Sequence, residues 1–228
     1  ASTPMYFLSK AITEKGIKVV LSGEGADEIF GGYLYFKNAP SAEEFQKETI
    51  SRVKRLSTAD CLRADKSTMA HGLEARVPFL DKAFLQTAIE IAPIHKMPST
   101  HGGGEKYILR KAFDTPEHAF LTDEVLWGQK EQFDDGVGYS WIDSLIEFTR
   151  SQVTDLELEM AASKYPVNTP STKEAYFYRE IFNSYFPQES AAKSVKKWIP
   201  KWQKDLDPSG RASSTHVAQT SFMEAAKV

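Results

Sequence analysis

Residues 17–28 read Ile17-Lys18-Val19-Val20-Leu21-Ser22-Gly23-Glu24-Gly25-Ala26-Asp27-Glu28. The first five are short, apolar and β-branched, which predicts a strand buried on both faces of a parallel sheet. A glycine-rich acidic turn follows. In open α/β sheets ligands bind beyond the carboxyl ends of the strands, where this turn falls. Gly23 and Gly25 let the backbone turn sharply and approach a ligand closely. The turn lacks the Lys and Ser/Thr of a P-loop, and its glycine spacing departs from the dinucleotide fingerprint. Three carboxylates would repel a bare phosphate. They make sense if Mg²⁺ bridges carboxylate and phosphate, or if one of them handles a proton on an amine. Acids in the first turn of a helix also complement its dipole. Spacing alone leaves both readings open and leans to the dipole.

Outward from this stretch the signals are helical. Thr3 and Pro4 read as N-cap and first-turn proline of a helix with Met5, Leu8, Ala11 and Ile12 on one face and Gly16 as its stop. Ser41 and Glu44 form a capping-box pattern before Phe45, Val53 and Leu56. Asp81 caps a helix burying Phe84, Leu85, Ala88, Ile89 and Ala92, which Pro93 ends. His101-Gly102-Gly103-Gly104 reads as a flexible loop, followed by a helix through Ile108, Leu109, Ala112 and Phe113. Ser171 and Glu174 suggest a second capping box before Ala175, Tyr178, Ile181, Phe182 and Tyr185. Residues 1–204 read as the folded region and 205–228 as a poorly ordered tail. One confident strand cannot satisfy its own backbone, so the sheet is expected to be incomplete and the chain part of a larger unit.

The 228 residues hold 28 Lys and Arg against 31 Asp and Glu, a net charge of −3. That balance argues against broad nucleic-acid binding, including by the lysines interleaved with Trp198 and Trp202. No stretch approaches the ~20 apolar residues that span a bilayer. A single cysteine, Cys61, suits a reducing, cytoplasmic setting. The five histidines form no zinc-ligand pattern. Asp60 and Arg63, three apart, would face the same way on a helix, where a surface ion pair is the simpler reading. Glu74 and Arg76 lead into Val77-Pro78-Phe79-Leu80-Asp81, read as a structural turn that anchors Phe79 and Leu80. Lys130, within the polar loop 127–139, becomes functional only beside an anion.

Several segments together resemble the synthetase domain of glutamine-hydrolysing asparagine synthetase. They are Val20 to Glu28, Phe30-Gly31-Gly32-Tyr33-Leu34-Tyr35-Phe36, Leu73 to Asp81, Gln129-Lys130-Glu131-Gln132-Phe133 with Asp135-Gly136, Asn168-Thr169-Pro170 and Asp207-Pro208-Ser209-Gly210-Arg211. The resemblance implies an α/β fold, the mainly helical C-terminal portion of a parallel-sheet ATP-pyrophosphatase-like (adenine nucleotide α-hydrolase-like) domain. It implies a carbon–nitrogen ligase of asparagine biosynthesis that uses ATP and Mg²⁺. The aspartate β-carboxylate attacks the α-phosphorus of ATP, and ammonia from glutamine displaces AMP from β-aspartyl-AMP. By the same resemblance Ser22 and Gly23 lie against AMP, Glu24 takes a proton from ammonia, and Asp27 holds Mg²⁺. Lys130 neutralises phosphate charge, and Asp60 and Arg63 border the pyrophosphate. A homodimer stays open.

The family's glutaminase region, its N-terminal cysteine and its Ser-Gly-Gly-x-Asp-Ser pyrophosphate loop are not in these 228 residues, so the isolated chain is expected to be inactive. Gly128 stands where the family usually has arginine, and Asp134 where it usually has serine. Both changes disfavour anion binding beside Lys130. A β-lactam synthetase-like enzyme and a catalytically dead interaction fragment are the competing readings.

Overall fold

Helix α1, Ser2–Glu14, opens the computed structural model, which describes residues 1–102, 104–115, 117, 120–128, 130, 133 and 140–202. It starts two residues earlier than an N-cap at Thr3 would place it, because Ala1 is the N-cap and its carbonyl accepts the first bond, from Met5 N at 3.2 Å. Pro4 sits in the first turn, where its missing N–H costs nothing. Gly16, at φ +78°, follows the C-terminus as expected. The apolar face lies differently. Leu8 and Ala11 are exposed and Ser9 is the buried residue, so α1, which packs along helix α4, Asp60–Met69, covers a mixed face of Met5, Ser9, Ile12 and Thr13.

Strand β1 is Val19–Leu21, and it pairs in parallel with β2, Glu74–Arg76, in the register Val19↔Glu74, Val20↔Ala75 and Leu21↔Arg76. Two corrections follow. The Glu74–Arg76 segment is a strand rather than only the approach to a turn. Three residues with two charges carry too little periodicity to announce one. The β1 side chains are also not buried on both faces: Val19 is exposed and Leu21 is 77 % exposed. Among the described residues no third strand extends this sheet.

The described residues divide into two units, 1–130 with 200–202, and 133–199. In the first, β1 leads through residues 22–25 into α2, Ala26–Phe30. Helix α2 packs against α3, Ala42–Arg55, α5, Lys82–Glu90, and α6, Tyr107–Phe113. Ile29, Phe30 and Ala88 form the core here, with Phe79 and Leu80 packed against it, so the Val77–Asp81 turn does anchor those two side chains. Ser41 accepts from Glu44 N at 3.2 Å, one half of the expected capping box, while the Glu44 carboxylate pairs with Lys47; Asp81 accepts from Ala83 N and Phe84 N, as its pattern predicts. A second cluster joins Tyr35, Phe36, Phe45 and Met97, with Trp202 against it.

The second unit is helical. Val153, Ala161, Tyr165 and Tyr176 form its core. Its helix Lys173–Tyr185 is capped by Thr172, which accepts from Ala175 N at 3.1 Å, one residue later than the Ser171 pattern suggests. Tyr178, Ile181 and Tyr185 are exposed on it. The capping box of this unit belongs to Thr154 and Glu157. The tail expected over 205–228 lies outside the described residues. None of the helices described is long and apolar enough to cross a membrane.

Candidate active site

The site is built where β1 ends. Gly25 adopts φ +95°, and a Cβ there would fall 2.4 Å from Cδ2 of Leu80. The β1–α2 turn therefore needs glycine twice over, for its left-handed backbone and for the seat of Leu80. Ser22 Oγ accepts from Glu24 N at 3.4 Å, which closes the turn. Gly23 is exposed with open space where a side chain would stand, so its backbone is accessible to a ligand.

Arg63, on α4, crosses to this turn. Its Nη2 lies 3.1 Å from Glu24 Oε1, and its Nη1 lies 2.5 Å from Asp60 Oδ1. The i,i+3 pair is thus formed, but it is mostly buried and shares its cation with the loop rather than with solvent. Burial raises the Glu24 carboxyl above its ordinary value, while Arg63 pulls it back down. Neighbouring Glu28 is 1 % exposed, and burial pushes its carboxyl up to about 7, against a hydrogen bond from Tyr33 that lowers it. Tyr33 donates to Glu28 Oε1 at 2.5 Å and also lies 3.3 Å from Asp60 Oδ2.

Asp27 faces the other way, between two lysines. Lys106 Nζ is 3.0 Å from Oδ1 and Lys130 Nζ is 3.3 Å from Oδ2. A Cβ on Gly32 would stand 1.9 Å from Asp27 Oδ1 and 3.0 Å from Asp27 Cα, so Gly32 makes room for this carboxylate. Arg110 ties down the approach of both lysines. Its Nε donates to the Glu105 carbonyl at 2.8 Å and its Nη1 to the Leu126 carbonyl at 2.5 Å.

Ser22, Gly23, Glu24, Asp27, Asp60, Arg63 and Lys130 therefore converge on one end of β1. Three further residues belong with them: Glu28, Tyr33 and Lys106. The first two lie in segments already singled out. Lys106 carries no local signal, since only the fold brings it to Asp27. Gln129, Glu131, Gln132 and Asp134–Gly136 lie outside the described residues. At Gly128, a Cβ would meet the Glu124 carbonyl at 2.7 Å, too close for a side chain on this backbone.

A strand end, a glycine turn, paired carboxylates and converging cations give this end of β1 a dense, mixed-charge character. The asparagine synthase family model matches residues 1–45 and 37–207. The chain belongs to the asparagine synthase family. It is 54 % identical over 225 residues to a probable glutamine-hydrolysing asparagine synthetase of Dictyostelium discoideum, covering 96 % of this chain and 40 % of that protein. It is 54 % identical over 223 residues to asparagine synthetase 1 of Saccharomyces cerevisiae, covering 95 % of this chain and 39 % of that protein. The Zea mays asparagine synthetase is 50 % identical over 230 residues, with 95 % and 39 % covered. The chain thus spans about two fifths of the length of the curated relatives it matches.

The residues fit Mg²⁺ in one way. Among the described residues no group of three acids, histidines or cysteines is placed to enclose a metal. Mg²⁺ is commonly held by one or two carboxylates plus substrate phosphates. Asp27 is the candidate carboxylate, but both of its oxygens are ion-paired to lysines, so Mg²⁺ held there would displace Lys106 or Lys130.

Proposed function

We propose that this site takes part in the ATP-dependent amidation of aspartate, with ammonia drawn from glutamine. The observation that carries the reading is the split of charge around the β1–α2 turn. Arg63 reaches Glu24 and Asp60 on one side, while Lys106 and Lys130 converge on Asp27 on the other. Ser22 and the exposed Gly23 backbone offer donors to AMP. The lysines and Arg63 neutralise the phosphates, and Arg63 Nε is buried with no hydrogen-bond partner among the described residues, a donor left for an anion. Mg²⁺ bound at Asp27 would neutralise the pyrophosphate further.

In the first step an oxygen of the aspartate β-carboxylate bonds to the α-phosphorus and the bond to pyrophosphate breaks. Cations fixed beside the leaving group favour that charge development. In the second, ammonia bonds to the acyl carbon, AMP leaves, and the amine loses a proton. Glu24 accepts that proton. Burial that raises its carboxyl makes it a better base than an exposed glutamate. A cytoplasmic location, a glutaminase domain and a pyrophosphate-binding loop elsewhere in the complete protein are parts of this proposal. So is the inactivity of the 228-residue chain on its own.

The test is Glu24→Gln in the complete gene product. It should fold as wild type and make no asparagine from aspartate, ATP and ammonia. An unchanged rate would sink the assignment.

A further inference from the structure

Arg63 does not pair with Glu24 by its own geometry alone. Its partner on α4, Asp60, holds one guanidinium nitrogen while the other reaches the turn. Asp60 is in turn reached by Tyr33, and Tyr33 is anchored on Glu28. The five residues form a line from the floor of α2 across to α4 and back to the β1–α2 turn. A phenol has one proton. Here that proton stands between two carboxylates, Glu28 and Asp60, which would otherwise repel one another in a poorly hydrated site. The ring itself is fixed by stacking on Tyr35, with centroids 6.0 Å apart and planes 14° apart.

We infer that Tyr33 and Glu28 are positioning residues that keep Asp60 turned to Arg63 and so keep Arg63 against Glu24. The inference rests on the function proposed above and deepens it. The Tyr33 hydroxyl and the buried Glu28 touch neither leaving group nor acyl carbon in this reading. They act through Asp60 and Arg63. Their loss misplaces the guanidinium rather than removing it. Misplacement of about 1 Å at a site of this kind costs on the order of a hundredfold in rate.

The experiment compares Tyr33→Phe with Tyr35→Phe in the complete gene product. Both lose one hydroxyl from the same aromatic stack, but Tyr35 donates to Glu48 and not to the site. Tyr33→Phe should lower kcat for ammonia-dependent asparagine formation about ten- to a hundredfold, with KM for aspartate nearly unchanged. Tyr35→Phe should leave kcat nearly unchanged and cost only stability. Glu28→Gln, whose amide oxygen still accepts from the phenol, should lose less than Tyr33→Phe. A Tyr33→Phe rate within about twofold of wild type, or a larger loss in Glu28→Gln, overturns the inference. A crystal structure of Tyr33→Phe supplies a readout besides activity. The Arg63–Glu24 separation, now 3.1 Å, should open beyond the ion-pair limit of about 4 Å, and an unmoved Arg63 also overturns it. If the wild-type protein makes no asparagine, the function fails while that structure still decides this proposal.

Discussion

Arg63 Nη2 lies 3.1 Å from Glu24 Oε1, a contact between residues 39 positions apart in sequence. It places a cation from α4 against the carboxylate at the end of β1. Burial and this cation act on Glu24 in opposite directions, and burial is the larger. Removing Arg63 takes away the lowering influence. Arg63→Ala should therefore raise the Glu24 carboxyl further and shift the acid limb of the ammonia-dependent pH–rate profile to higher pH. An unmoved limb would show that Glu24 is not the group titrating in catalysis.

Lys130→Ala should damage the adenylation step most. A charge-assisted contact realised mainly in the transition state is worth about 3–4 kcal/mol, a rate loss on the order of a hundred- to a thousandfold. Lys130 Nζ lies 3.3 Å from Asp27, the carboxylate proposed to hold Mg²⁺ on the pyrophosphate, whereas Arg63 pairs with Glu24 and Asp60 on the other side of the turn. Aspartate-dependent pyrophosphate release measures the step. A greater loss in Arg63→Ala than in Lys130→Ala would reverse this ranking of the two cations.

Gly32→Ala should displace Asp27. The added methyl would fall 1.9 Å from the carboxylate oxygen and 3.0 Å from Asp27 Cα, so side-chain rotation alone does not clear it. Overpacking of this kind costs about 1–3 kcal/mol. Urea unfolding should show that loss, and pyrophosphate release should fall with it. Unchanged stability together with wild-type release would mean that Asp27 has no fixed place.

Glu28 makes stability depend on pH. Its carboxyl titrates at about 7 in the folded chain against an ordinary value of 4.5. The folded state holds the proton more tightly, so this contribution is fully present below about pH 4.5 and is lost as pH rises through about 7. The difference corresponds to about 3 kcal/mol. Urea midpoints should fall from pH 5 to pH 8, and Glu28→Gln should flatten the slope. A slope that the substitution leaves intact would assign the effect to other groups.

The sequence by itself determined the β1–α2 turn, the caps at Ser41 and Asp81 and the family. Each is written in residues close together in the chain, where spacing reports directly on backbone geometry. It also nominated seven candidate residues, through the turn and the resemblance. Tertiary structure alone decided how they meet. Strand β2 exists because Glu74–Arg76 has a partner in β1, since its own three residues specify nothing. Lys106 reaches Asp27 only because α6 packs on α2. Tyr33 reaches Asp60 only because α4 brings that carboxylate beside the turn. The physical reason is the range of the interactions. Helix caps and turn glycines act within a few residues, whereas buried charges find partners according to where packing sets them, at separations that no local pattern records.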